Sequence, residues 1–163
     1  TRRSTRAFLQ KEIPDNELNE ILQAAIYAPS GMGKHTWKFT VLCNQEKIQQ
    51  LAELIGRKLG RKGYDMYRPQ VLIIPSNQKE NPHGMEDNAC ALENIFLAAH
   101  SFGIGSVWIN QLRTLCDDPE VRALLDEFEI PSDHVVYGMA ALGYPADAPK
   151  KEIHKIGEIR IIK

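Results

Sequence analysis

The sequence predicts an α+β fold for a single domain spanning residues 1–163. Helical and strand patterns mix along the chain without regular βαβ repetition, which favours α+β over a doubly wound parallel sheet. No predicted strand is followed by GxGxxG or by a Walker-type glycine loop, so neither of the two commonest nucleotide-binding motifs is indicated. The hydrophobic fraction of 43% and the charged fraction of 25% are ordinary for a globular chain.

The first half of the chain alternates helix and strand. Apolar residues recur at helical spacing over 18–26, and Asp15 can cap this helix. Apolar and polar residues alternate over 37–42, which predicts a strand. A second helical pattern covers 48–59, and the continuous apolar run at 71–74 indicates a strand that is buried on both faces.

The middle of the chain carries the most apolar predicted helix. The polar stretch 77–84 is predicted to be a surface loop. The helix predicted over 87–102 is apolar nearly all round, which indicates central burial. Its small residues also allow a second helix to approach closely, and Gly103 is a natural end for it.

Three further elements complete the predicted fold. A short strand is predicted at 106–109, and Asp118 with Pro119 opens another helix. A final strand is predicted at 134–142, which Gly143 and Pro145 end. The remaining tail is rich in lysine and has little apolar pattern beyond its isoleucines.

Charge and cysteine content argue against several functional classes. Lys and Arg total 20 and Asp and Glu total 21, so a net charge of −1 gives no general attraction to nucleic acid or to a membrane surface. No apolar run reaches the roughly 20 residues that a membrane-spanning helix needs. The three cysteines, Cys43, Cys90 and Cys116, show neither CxxC spacing nor an even count, which predicts a cytoplasmic protein without a metal site.

The amino terminus is a candidate anion site. Three guanidinium groups and two hydroxyls fall within five residues: Arg2, Arg3, Ser4, Thr5 and Arg6. Guanidinium groups bind phosphate through paired hydrogen bonds, and hydroxyls add donors. The same residues also fit a frayed, solvated basic terminus.

Three other segments are candidate binding segments, and each is ambiguous on its own. The segment Pro29, Ser30, Gly31, Met32, Gly33 could present backbone N–H groups to a flat ligand, or it could be an ordinary connection. The segment 103–111 could place amide groups beside a ring, or could be a tight turn into a core strand. The tail at 150–155 could close over a phosphate, or could be a solvated charged segment.

Taken together, these segments resemble the flavin-dependent nitroreductase family. Arg-Arg-Ser-Thr-Arg-Ala-Phe at 2–8 resembles the family's R-x-S-x-R/K-x-F start, and 27–39 resembles its A-P-S…W-x-F segment. The stretch 87–109 resembles D-x-A-x-A-x-x-N-x-x-L-A-A-x-x-x-G-x-G-S-x-W-I, and 142–145 reads L-G-Y-P. The matches fall in the family's order across nearly the whole chain.

The resemblance implies a central antiparallel sheet flanked by helices, an obligate homodimer, and FMN at the dimer interface. It also implies transfer of hydride from NADH or NADPH to FMN, and then of electrons to a small acceptor such as a nitroaromatic or quinone, with ping-pong kinetics. No side chain is expected to act as an essential catalytic acid or base, because the cofactor carries the chemistry.

The implied cofactor-binding residues form three groups. The phosphate end would be held by Arg2, Ser4 and Arg6 with Arg3 adjacent, and by a tail residue, Lys155, with His154 and Lys151 as alternatives. The ring would be lined by the partner subunit's Pro29, Ser30, Gly31, Met32 and Gly33. The reactive edge would lie beside Trp108, Ile109, Asn110 and Gln111.

The sequence departs from the family where N-x-Q-P usually precedes the tryptophan. Here those positions are Gly33, Lys34, His35 and Thr36, so His35 or Lys34 is expected to contact the flavin or the substrate instead. The departures leave alternatives open. They are a non-catalytic FMN-binding or flavin-handling protein, and a different flavin reaction on this fold, such as that of a dehalogenase or an enoate reductase.

Overall fold

The computed structural model describes residues 2–147 and 156–163. Its helices are α1 (Asp15–Ile26), α2 (Gln45–Lys58), α3 (Gly84–Ser101) and α4 (Pro119–Glu127). Its strands are β1 (Trp37–Leu42), β2 (Val71–Gln78), β3 (Gly105–Ile109), β4 (His134–Val135) and β5 (Met139–Gly143). No helix in this part of the chain is both long and apolar enough to cross a bilayer.

The five strands form one antiparallel sheet between two layers of helices. The strand order is β1-β2-β5-β3, and β4 pairs with the far end of β2. Leu72 and Ile74 of β2 pack into the core on the α2 and α4 side, whereas Val71 and Ile73 pack into the core on the α1 and α3 side. Successive residues of β2 face opposite sides of the sheet and both sides are buried, which explains the continuous apolar run in the sequence. The antiparallel sheet between two layers of helices confirms the predicted α+β class.

The loop predicted at 77–84 is present but shorter, since it covers residues 79–83. β2 continues to Gln78, α3 already begins at Gly84, and Asn77 in β2 and Asn81 in the loop are buried. Their side chains are linked through Thr36, whose hydroxyl donates to Asn77 Oδ1 at 2.6 Å and accepts from Asn81 Nδ2 at 2.8 Å. Polar side chains that hydrogen-bond to one another can be buried, and composition alone hides this.

Two other boundaries differ from the prediction. The strand expected at 134–142 is split into β4 and β5, and only β5 joins the centre of the sheet. The residue that precedes α1 is Pro14 rather than Asp15, and no side chain caps that helix end. Asp15 instead lies in the first turn of α1, where its charge still suits the helix dipole.

The outer face of α3 is not buried within the protomer. Leu97 is 51% exposed, and Ile26 and Tyr27, at the end of the adjacent α1, are 50% and 82% exposed. We name this surface the α1–α3 face. The sequence therefore correctly predicted an apolar helix, but one of its sides is covered only if something packs on the α1–α3 face.

The same type of turn follows three of the helices, and in each turn one residue has a left-handed backbone conformation. After α3, Gly103 has φ 72°, and the Ile104 N–H donates to Ala99 O at 2.9 Å. After α4 the equivalent position is Glu129, with φ 57°, and the Ile130 N–H donates to Leu125 O at 2.9 Å. Glycine adopts this conformation without strain, so Glu129 is the exception.

The amino-terminal segment lies against the outer end of the sheet, over a pair of glycines. Gly105 of β3 and Gly143 of β5 are register partners. A Cβ on Gly105 would lie 2.6 Å from the Thr5 hydroxyl, and one on Gly143 would lie 2.9 Å from the Phe8 ring. The absence of both side chains is what allows the segment to approach the strands.

Candidate functional site

The predicted phosphate-binding residues of the amino terminus surround one cavity of about 460 Å³. It opens where α3 ends and β3 begins. We name it the arginine cavity; its lining comprises Arg2, Arg3, Ser4, Thr5, Arg6, Ala7, His100, Gly103, Ile104, Gly105, Ser106, Pro145 and Asp147. The structure thus brings together all four amino-terminal residues that the sequence singled out.

The wall of the arginine cavity is attached to the sheet. Ser4 forms a parallel bridge with Ser106, and the Thr5 N–H donates to Ser106 O at 2.9 Å. The Arg2 guanidinium carbon lies 5.7 Å from the centre of the Phe96 ring, within the range of a cation–π contact. The reading of this segment as a frayed terminus is therefore wrong for residues 2–8.

The arginine cavity is suited to an anion. Three arginines and Ser4 line it, and Arg2 and Arg3 are only partly exposed. Partial burial strengthens charge-assisted hydrogen bonds because less water competes for the donors. His100 and Asp147 also line the cavity and were not predicted, since neither stands in a sequence pattern that differs from the surrounding surface.

The end of β3 carries the residues that were predicted to lie beside the reactive edge of the ring. The Trp108 side chain is 40% exposed, whereas Ile109 is buried in the core, so only the main chain of Ile109 can face a ligand. The Asn110 N–H donates to Gln111 Oε1 at 3.1 Å and is therefore already engaged. Ser106 in the cavity and Asn110 are roughly 13 Å apart along the strand, at about 3.3 Å per residue.

Tyr64 supports this strand end and was not predicted. Its hydroxyl donates to Gln111 Oε1 at 3.0 Å from the connection between α2 and β2. Burial raises the pKa of Tyr64 to about 12, so its hydroxyl stays protonated and remains a donor near neutral pH. Two donors on one oxygen fix the orientation of the Gln111 amide and leave its nitrogen as the remaining donor.

The residues that were predicted to line the flavin ring lie in a tight loop over residues 30–35, which we name the 30–35 loop. Asp87 of α3 anchors it: Oδ1 accepts the Gly31 N–H at 2.7 Å and Oδ2 accepts the Ser30 hydroxyl at 2.9 Å. The His35 N–H donates back to Ser30 Oγ at 3.0 Å. The expectation that the glycine amides are open to a ligand is therefore wrong for Gly31.

The side chains at the positions that depart from the family pattern point in different directions. Lys34 and His35 are exposed, and the His35 ring lies 5.4 Å from that of Trp37. Thr36 instead faces inward and bonds to Asn77 and Asn81. Thr36 is thus used to hold β2, which leaves His35 and Lys34 as the exposed polar groups of the segment.

Asp87 could have been found from its helical position. It lies on the same face of α3 as Ala91 and Ile95, both fully buried. A carboxylate on a core-facing stripe requires hydrogen-bond donors, because an unsatisfied buried charge is costly. The identity of those donors could not be found, since Ser30 and Gly31 lie 57 and 56 residues away in sequence.

The arginine cavity and the 30–35 loop lie at opposite ends of α3. Asp87, which holds the loop, and His100, which lines the cavity, are roughly 20 Å apart along the helix axis, at about 1.5 Å per residue. The predicted Lys155, with its alternatives His154 and Lys151, lies outside the described residues. Within the residues described, no group of His, Cys, Asp and Glu could hold a metal ion.

Comparisons with known proteins agree on one family. The family model described as Nitroreductase family matches residues 1–66 and 56–144. The structure of a nitroreductase with bound FMN from Bacteroides fragilis is 45% identical, with a TM-score of 0.92 over 99% of this chain and 95% of that chain.

Two further relatives are more distant. An FMN-dependent nitroreductase structure from Clostridium difficile is 31% identical, with a TM-score of 0.80 over 94% of this chain and 88% of that one. An Archaeoglobus fulgidus protein that is named as an NADH dehydrogenase/NAD(P)H nitroreductase is 32% identical over 90% of this chain and 83% of its own length.

Proposed function

The chain belongs to the nitroreductase family, and on that premise we propose that it is an FMN-dependent oxidoreductase. It passes electrons from NADH or NADPH to a small acceptor such as a nitroaromatic or a quinone. The observation that carries the proposal is the arginine cavity, in a chain 45% identical to a nitroreductase whose structure holds FMN.

The residues of the arginine cavity fit the phosphate end of FMN. Arg2, Arg3 and Arg6 supply positive charge, and Ser4 supplies a hydroxyl donor. The roughly 13 Å from Ser106 to Asn110, at about 3.3 Å per residue, leaves room for a ribityl chain between a phosphate in the cavity and a ring beside the end of β3. Lys155 would add a further cation from the tail.

FMN, when bound, supplies the ring that takes hydride from the nicotinamide and reduces the acceptor. The chain's own residues bind and orient. Trp108 offers an exposed aromatic surface, and the main chain at Ile109 and Asn110 with the amide of Gln111 lies beside it. For the Asn110 N–H to reach a ligand, Gln111 must first release it.

A homodimer would bring to the flavin site the loop residues that lie too far from the arginine cavity within one protomer. The loop residues Pro29, Ser30, Gly31, Met32 and Gly33, with His35, lie at the other end of α3 from the arginine cavity. A second copy packed on the α1–α3 face would bring its own 30–35 loop towards the ring. It would also give cover to the tail, in which Ile156, Ile159, Ile161 and Ile162 are between 77% and 100% exposed.

The two substrates are expected to share one pocket. One exposed face of the flavin ring would serve both, so the nucleotide would leave before the acceptor binds. This predicts ping-pong kinetics. The free cysteines suit a reducing, cytoplasmic setting, which stays a prediction.

Anaerobic reduction of the purified protein tests the proposal. We expect a yellow protein whose flavin bands bleach on addition of NADH or NADPH and return with a nitroaromatic or quinone. Steady-state rates at several fixed acceptor concentrations should give parallel double-reciprocal lines. A yellow protein that neither nucleotide reduces would favour the non-catalytic alternative, and a colourless protein that cannot be reconstituted with FMN would overturn the proposal.

A further inference from the structure

We propose that Asp87 is a positioning residue that shapes the 30–35 loop so that the Met32 N–H is left as the loop's donor to a ligand. The acceptor would be a carbonyl or ring nitrogen of the flavin, which means that this inference rests on the proposed function. It adds to that function a residue outside all three predicted binding groups, and it assigns one atom to the contact.

The hydrogen bonds of the loop single out Met32. The Gly31 N–H donates to Asp87 Oδ1, the Gly33 N–H to Ser30 O at 2.9 Å and the Lys34 N–H to Gly31 O at 3.3 Å. The His35 N–H donates to Ser30 Oγ at 3.0 Å. Of the amides from 31 to 35, only that of Met32 has no acceptor among the described residues, and Met32 is 83% exposed.

The anchor is a buried charge. Asp87 is 2% exposed, and its three donors, the Ser30 hydroxyl, the Gly31 N–H and Asn81 Nδ2 at 3.3 Å, are all neutral. Releasing the loop would remove two of these donors and leave a buried carboxylate poorly compensated. The loop is therefore held more firmly than an exposed connection of the same length.

The backbone of the loop needs such a restraint. Met32 has φ 57° and His35 has φ 48°, values that residues other than glycine adopt only at a cost in energy. Gly31 packs so closely on His83 that a Cβ would lie 2.6 Å from its side chain. Contacts on Ser30 and Gly31 thus hold a conformation that the sequence of the loop does not favour, and in that conformation the Met32 N–H has no acceptor among the described residues.

The test compares FMN binding by the wild-type protein and its variants Asp87→Asn and Ser30→Ala. Each variant should raise the Kd for FMN about tenfold. The double variant should bind little more weakly than the weaker-binding single variant, because both substitutions remove the same anchor. Each should also shift the absorption bands and the reduction potential of bound FMN.

Asn88→Ala is the matched control. Asn88 is fully buried on the same turn of α3, but its side chain donates to Pro75 O in β2 rather than to the loop. We expect this variant to lower the melting temperature while leaving the Kd, spectrum and potential of FMN unchanged.

The outcomes separate the two proposals. If wild type binds FMN and Ser30→Ala binds it equally well with the same spectrum and potential, the positioning role is wrong while the oxidoreductase stands. Perturbation of the flavin by Asn88→Ala to the same extent, or additive losses of affinity in the double variant, would also overturn it. If wild type itself binds no FMN, both proposals fail.

Discussion

At the scale of single residues, the arginines of the cavity make the first prediction. Replacing both Arg2 and Arg6 by Ala removes charge-assisted hydrogen bonds worth roughly 1.5–3 kcal/mol each, so FMN retention should fall by at least about tenfold per arginine. Flavin content after gel filtration and a fluorescence titration would measure it. Arg113→Ala is the control, because Arg113 packs on Tyr137 and does not line the cavity. Unchanged flavin occupancy in the double variant would refute the phosphate assignment.

A second residue, His134, makes stability depend on pH. It is 7% exposed, its Nδ1 lies 3.0 Å from Ser76 Oγ, and burial lowers its pKa. In the unfolded chain it takes up a proton near the ordinary pKa of about 6.5, whereas the folded protein resists this. The stability that neutral His134 contributes is therefore complete above about pH 6.5 and is lost as the pH falls below it.

Urea unfolding at pH 7.5 and pH 5.5 checks this for wild type and His134→Asn. The variant removes the titrating group, so its loss of stability between the two pH values should be smaller than that of wild type. Equal losses would show that other groups account for the acid sensitivity. His134 is not part of the proposed binding site, so FMN binding is not expected to depend on it.

At the scale of the helices, the turns that follow α4 and α3 give two predictions of opposite sign for stability. Glu129→Gly relieves a left-handed residue after α4 and should raise the free energy of unfolding by roughly 0.5–1 kcal/mol. Gly103→Ala introduces the same strain after α3 and should lower it by about 1 kcal/mol. The carbonyl of Glu129 that accepts from Lys38 Nζ is retained in the glycine variant. Denaturant midpoints that move in the same direction would contradict this account.

The elements that the sequence predicted well are those set by local patterns. The period of two in β1, the apolar run in β2 and the Asp118 cap of α4 are visible in consecutive residues, and the Asp118 carboxylate does accept the Glu120 N–H at 3.0 Å. The loop after β2 was predicted to begin too early, because the burial of Asn77 depends on Thr36, about forty residues away. Contacts of that range leave no local pattern.

The residues of the candidate site divide in the same way, into those that a local pattern predicts and those that depend on distant contacts. The arginine cluster could be predicted because its chemistry is concentrated in five consecutive residues. The partners of Tyr64 and Asp87 could not be assigned, since they lie between 47 and 57 positions away in sequence. The contribution of each amino-terminal, loop and strand residue to binding stays a prediction until FMN affinities are measured.

At the scale of the whole molecule, the α1–α3 face predicts how two chains associate. Leu97→Asp places a charge on an apolar surface that is 51% exposed in the protomer, so the protomer should fold but the dimer should dissociate. Sedimentation velocity should show a monomer with little bound FMN. Leu59→Asp is the control, because Leu59 ends α2 in the opposite helical layer.

A dimeric Leu97→Asp variant that keeps its FMN would place the subunit interface elsewhere. The single-domain prediction for residues 1–163 belongs to this scale as well. It can be checked by whether the protein unfolds in one cooperative transition at a fixed protein concentration.

The glycine pair at Gly105 and Gly143 has a consequence for how this protein can vary between species. The absence of a Cβ at these two positions allows Thr5 and Phe8 to lie where they do, with the arginines between and beside them. A homologue with a larger residue at either position would have to carry its amino-terminal segment along another path. We expect such a homologue to recruit its phosphate ligands from a different part of its sequence, so an alignment should show both glycines and the arginines lost together.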